Sequence, residues 1–206
     1  MRSSMRFALG LFAAVLFAPS VLDAHFTLME PASWLVENQL GDPQKAGPCG
    51  GTSADAGTPT AAITRLQGGQ KLHIKVKETV YHPGHYRIAL AVNSRAELPA
   101  DPEATTRQTD RGEQSVSGKV MSPVAPPVIV DGLWDHHDRS TIANPWETDI
   151  TLPNITCEKC TLQIVQFMEQ HGRNPDGDFT YHHCADLQIT ADPSKPIDRA
   201  WPATRK

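Results

Sequence analysis

Residues 71–92, KLHIKVKETVYHPGHYRIALAV, decide the fold. Leu72, Ile74 and Val76 alternate with Lys71, His73, Lys75 and Lys77. That period of two lays apolar side chains along one face of a strand and charged ones along the other. After the turn residues His82-Pro83-Gly84, Tyr86 to Val92 supplies a second, largely apolar strand, so the segment reads as a β-hairpin. Working outward, residues 26–29, 128–130, 148–152, 161–167 and 179–189 are further strand candidates. No window carries the 3.6-residue apolar period of an amphipathic helix. Two long stretches are irregular: 38–69, rich in Gly, Pro, Ala and Thr, and 93–127, with many Pro, Ser, Asp and Arg. Both read as loops. Short strands with turns and no helices predict an all-β chain, an immunoglobulin- or fibronectin-like antiparallel β-sandwich with long loops.

The first 24 residues read as a secretory signal peptide. Arg2 and Arg6 precede an apolar run from Phe7 to Phe17, and the exit 19–24 ends on Ala24. The run is too short to span a bilayer, and no later stretch approaches ~20 apolar residues. The expectation is a secreted or periplasmic chain without a membrane span. Residues 25–191 form one domain, and the polar, Pro-rich residues 192–206 form a flexible tail. Without Arg2, Arg6 and Asp23, 17 basic and 22 acidic residues remain, a net charge of −5. That balance argues against nucleic acid or an anionic membrane as partner. Four cysteines in an exported chain are most simply two disulfides, with three possible pairings.

Cleavage after Ala24 leaves His25 first, with its α-amine and imidazole Nδ1 on one residue, a pair that chelates a metal. Of the nine histidines, His82 stands out, because the Pro83-Gly84 turn makes it a rigid position suited to ligation; His85 is an equal candidate on spacing alone. His73 falls on the polar face of its strand. His136, His137 and His171 read as exposed loop residues. His182 and His183 are adjacent on a strand and point to opposite faces, so only one can reach a given site. Gln163 and Gln166 likewise face opposite ways, with Gln166 facing the interior. Trp34, Trp134 and Trp146 are either core residues or a flat platform for sugar rings. Cys157-Glu158-Lys159-Cys160 has the spacing of a thiol oxidoreductase, but Thr161 to Val165 reads as strand rather than the helix such motifs open.

Five blocks together resemble the lytic polysaccharide monooxygenases. His25-Phe26-Thr27-Leu28-Met29-Glu30-Pro31-Ala32-Ser33 is similar to that family's opening at the mature terminus. Pro48-Cys49-Gly50-Gly51, His82-Pro83-Gly84-His85-Tyr86, Cys157-Glu158-Lys159-Cys160-Thr161-Leu162-Gln163 and Tyr181-His182-His183-Cys184-Ala185-Asp186-Leu187 resemble motifs of its animal-type branch, in the same order. Trp34 follows Ser33 where many members have Arg, and Ile164 replaces a tryptophan of that branch, so the chain looks like a divergent bacterial group. The resemblance implies one copper ion per chain in a histidine brace, held by the amine and Nδ1 of His25 and a nitrogen of His82. It places Tyr181 at the axial position; strand alternation puts His183 on the same face as a third imidazole or supporting group. Gln166, where the branch often has an aromatic, reads either as a hydrogen-bond partner for bound oxygen or as a surface glutamine. The resemblance implies disulfides Cys49–Cys184 and Cys157–Cys160. The activity implied is oxidative cleavage of glycosidic linkages in a polysaccharide by a monomer fed by an external electron donor. The rival is a non-catalytic copper storage or delivery protein on the same scaffold.

Overall fold

The computed structural model describes residues 25–202; the signal-peptide reading of 1–24 lies outside them. Ten strands make up the described chain: β1 His25–Glu30, β2 Ile63–Gln67, β3 Lys71–Val80, β4 Gly84–Ala91, β5 Ala104–Thr109, β6 Gly112–Gly118, β7 Val128–His136, β8 Trp146–Thr151, β9 Cys157–Met168 and β10 Thr180–Thr190. A three-stranded sheet, β1-β3-β8, faces a five-stranded one, β2-β10-β9-β4-β7, and β5 and β6 form a separate ribbon. This is the expected sandwich. Its core sits between the sheets, with Phe26, Leu28, Leu72, Ile74 and Val76 packed against Tyr86, Ile88, Leu162, Ile164 and Tyr181. One pair departs from the antiparallel rule: β2, which arises inside the segment read as loop, runs parallel to β10.

The stretch that decides the fold is not a hairpin. β3 pairs with β1 on one edge and β8 on the other, so it has no edge left for β4. The chain therefore crosses between the sheets at 81–83, and β4 pairs with β9 and β7 instead. Gly84 makes the crossing possible: at φ +148° it lies so close to the Phe167 carbonyl that any side chain would collide with it. His82 consequently sits at the rim between the two sheets rather than at the tip of a ribbon.

β4 is buried along its whole length because long loops cover the outer face of the large sheet. His85 and Arg87 alternate with Tyr86 and Ile88 along it, yet both are buried, because those loops cover the face they lie on. On one side the Cys49–Cys184 disulfide and a hydrogen bond from Gln163 Nε2 to the Pro48 carbonyl, 2.8 Å, pin the first loop. On the other, the 93–127 segment docks through Arg87 Nη2 to the Ala100 carbonyl, 2.9 Å, and His182 Nε2 to Asp101, 2.8 Å. Its β5–β6 ribbon brings Gly118 against the Phe167 ring. Cys157–Cys160 is the second disulfide. Closing a loop over a sequence separation of 135, Cys49–Cys184 contributes about 5 kcal/mol in the chain-entropy model.

Residues 192–202 do not form a loose tail. Asn154, 6% exposed, accepts the Asp192 N–H on Oδ1 and directs Nδ2 at the carbonyls of Asp192, Lys195 and Pro196. Its own carbonyl receives the Asp198 N–H, and Trp201 packs against the core. Asn154→Ala should lower the unfolding free energy by about 1–3 kcal/mol, the cost of leaving such buried groups unmatched. Urea denaturation, with amide exchange of residues 192–198, measures it; unchanged protection of the tail would refute the role given to Asn154.

Candidate functional site

β1 is an edge strand whose outward backbone groups are met by side chains. The Phe26 N–H donates to Gln44 Oε1 at 3.1 Å and the Leu28 N–H to Glu37 Oε2 at 3.1 Å. Unpaired strand groups need such partners. At its start His25 pairs with Val80 at the end of β3, with an irregularity in register just after it. Two residues beyond Val80 is His82. The start of β1 and the crossing between sheets therefore meet at one corner.

From the opposite sheet Tyr181 enters the same corner at the head of β10. The rings form a chain: His25 to Tyr181, centroids 5.4 Å apart, Tyr181 to His171, 6.3 Å, and His171 to His82, 4.8 Å. His171 was expected on an exposed loop; it is 3% exposed and part of the site. β6 puts it there. The His171 N–H donates to Ser115 Oγ, Ser115 donates its own N–H to the His171 carbonyl at 3.0 Å, and Ser115 Oγ bonds the Met168 carbonyl at 2.7 Å. His171 Nδ1 contacts the Gly172 carbonyl, an acceptor, so that nitrogen carries a proton. His25 Nε2 lies 3.2 Å from Asp42 Oδ2, and this bond holds the Asp42 carboxyl below the usual range against the opposing effect of burial.

Beneath the rings is a buried carboxylate. Glu78, 1% exposed, accepts on Oε1 from Gln166 Nε2 at 2.6 Å and from the Tyr86 hydroxyl at 3.1 Å, with His136 Nε2 at 2.8 Å. Burial, then the neighbouring carboxylate, pushes the Tyr86 hydroxyl well up. Burial works against charge on His136, but Glu78 and the main chain of Trp134 and His82 outweigh it and raise its pKa. Gln166 is the cross-strand neighbour of Tyr181, with its amide fastened to Glu78.

Several expected placements change. His183 does not present a third imidazole: Nε2 bonds the Phe26 carbonyl at 2.9 Å and Nδ1 lies 3.1 Å from Glu37, so both ring nitrogens face protein partners. It supports β1 instead. His85 falls on the outer face of β4 and stacks on Phe167. His136 is buried at 4% exposure, while His137 is exposed as expected. The tryptophans do not make one platform. Trp34 lies under the Arg95 guanidinium, whereas Trp134 and Trp146 stack on each other and pack against the core. Glu78 carried a legible signal, since it continues the inward phase of Leu72, Ile74 and Val76. A charge in that phase must find buried partners. His171 and Asp42 carried none, because loops fix them.

The chain matches no protein-family model and no characterised relative. Among solved structures it is similar to a chitin binding domain from Burkholderia pseudomallei, at 12% identity over 82% of this chain and 100% of that one, with a TM-score of 0.42. It is also similar to Cel61B, a glycoside hydrolase family 61 member from Hypocrea jecorina, at 14% identity over 73% of this chain and 59% of that one, with a TM-score of 0.40.

The Glu78–His136 pair has a pH signature. A histidine pKa raised on folding adds stability that is complete below its unfolded value of about 6.5 and is lost as pH rises through the folded value. The stability difference between the parent and Glu78→Gln should therefore be larger at about pH 6 than at about pH 9. Denaturant midpoints at the two pH values check it; equal differences would mean that His136 gains no charge from Glu78.

Proposed function

We propose that the exported protein is a copper-dependent monooxygenase acting on a polysaccharide, with removal of residues 1–24 exposing the His25 amine as part of its metal site. The observation that carries this reading is the corner where His25, Tyr181, His171 and His82 form one chain of rings. The donor chemistry fits copper. All four cysteines are in disulfides, so no thiolate competes, and imidazole nitrogens suit an ion near the top of the divalent affinity order. Among the described residues no three His, Cys, Asp or Glu side chains make a ready-made cage; a brace of two imidazoles and a main-chain amine needs none.

In this reading the His25 amine and ring and the His82 ring would hold the ion, and Tyr181 would line the same corner. Copper held there would supply one-electron oxidation chemistry toward the sugar, with electrons from an external donor. His171 lines the site with an imidazole whose main chain is held by Ser115. Gln166 fixes Tyr181's neighbouring strand to Glu78, so the polar groups around the ion are positioned before substrate arrives.

A second reading keeps the metal and drops the turnover: copper storage or delivery. His171 favours it, since its ring lies 4.8 Å from that of His82 and puts a third imidazole at the corner. Mature protein beginning at His25 should bind one Cu(II) and, with reductant and peroxide, release oxidised oligosaccharides from at least one of a panel of glycans. A form with one extra residue before His25 should lose both. Tight binding without products would select the storage reading, and equal binding by the extended form would refute the brace.

A further inference from the structure

Resting on the copper reading above, we propose that the turn 38–42 is a clamp for His25, with Asp42 as the positioning residue that fixes the tautomer and direction of its ring. A carboxylate only accepts hydrogen bonds, so the neutral His25 ring facing Asp42 through Nε2 carries its proton there. The lone pair then sits on Nδ1, the nitrogen that shares a chelate with the α-amine. The opposite tautomer would put a proton where a metal must bind. Asp42 thus decides which nitrogen is a ligand before any ion arrives.

Exposed Asp–His pairs are usually of little consequence; two features set this one apart. The His25 side chain is 7% exposed, so its polar edge depends on protein partners. The turn carrying Asp42 is also locked in place. Asn38 Oδ1 accepts the N–H groups of Leu40, Gly41 and Asp42 at 2.8, 3.0 and 3.0 Å, and the Asn38 N–H returns to the Asp42 carbonyl at 3.0 Å. Gly41, at φ +101°, lies against the Phe26 carbonyl, where any Cβ would collide with that oxygen. Gln44, just past the turn, takes the Phe26 N–H. The turn therefore packs against the main chain of the residue after His25, the Gln44 side chain just beyond it takes that residue's N–H, and Asp42 meets the His25 ring.

The test uses mature protein and two readouts. Long-range nitrogen–proton NMR of the metal-free form should show His25 as the Nε2–H tautomer, and Asp42→Ala should shift it toward a mixture. Cu(II) titration by calorimetry should show affinity falling about 10–100-fold in Asp42→Ala, the usual effect of losing a group that orients a ligand. Asp42→Asn, whose Oδ1 still accepts from Nε2–H, should restore the tautomer. Unchanged tautomer and affinity in Asp42→Ala would overturn the clamp. Should Asp42→Ala fail to fold, Asn38→Ala, which keeps the carboxylate but uncaps the turn, is read the same way. A parent protein that binds no copper would sink the copper reading, while the tautomer comparison would still decide the clamp.

Discussion

One buried carboxylate joins the two sheets at the end where the site forms. Glu78 comes from β3 in the small sheet, and its partners Tyr86, Gln166 and His136 come from β4, β9 and β7 in the large one. Burying a carboxylate costs several kcal/mol unless partners surround it, and removing one partner of such a group typically costs about 3–5 kcal/mol. An apolar side chain there would tolerate several packings. A carboxylate with three specified partners tolerates one, because sliding either sheet by a residue would strand the charge. The corner above it inherits that precision: Val80, two residues on, pairs with His25, and Gln166 is the cross-strand neighbour of Tyr181.

The second constraint is the open edge of β1. A strand that starts a domain and has one unpaired edge normally frays or recruits another chain. Here Gln44 and Glu37 take the place of a neighbouring strand, and His183 reaches across from β10 to the Phe26 carbonyl. The long loop after β1 therefore completes the edge of the strand it follows. The disulfide from Cys49 to Cys184 fastens that loop to β10, the strand that also carries Tyr181 and His183.

What could be read from the sequence divides along physical lines. Strand periodicity is local, so β3, β8, β9 and β10 were visible, as was the sandwich they imply. Pairing is not local: β3 and β4 look like a hairpin until β8 claims the second edge of β3. β2 and the β5–β6 ribbon stayed hidden because no clear alternation marks them, and their stability comes from docking on β10 and Phe167. The parity of β10 separates His182 from His183: His183 faces inward against Phe26 of β1, while His182 on the outer face is buried by loops that periodicity does not see. At the candidate site, His25 is marked by the cleavage signal before it, His82 by its Pro-Gly turn, and Tyr181 by motif resemblance. His171 and Asp42 lie on turns whose positions depend on Ser115 and Asn38, tens of residues away in one case and a turn's cap in the other.

The corner therefore combines parts of different rigidity. Tyr181 sits on a strand covered on both faces, with Gln166 beside it and Asp101 and Lys45 holding the neighbouring His182. His171 instead sits on a loop tied to a ribbon outside both sheets, where the hydroxyl and main chain of Ser115 bond residues 168–171. Local stability follows packing and hydrogen bonding, so the His171 side should open at lower free energy than the strand side. A metal bound between them would be gripped firmly from the sheets and adjustably from the loop. That asymmetry is what a site needs if it is to hold an ion and still admit another molecule beside it.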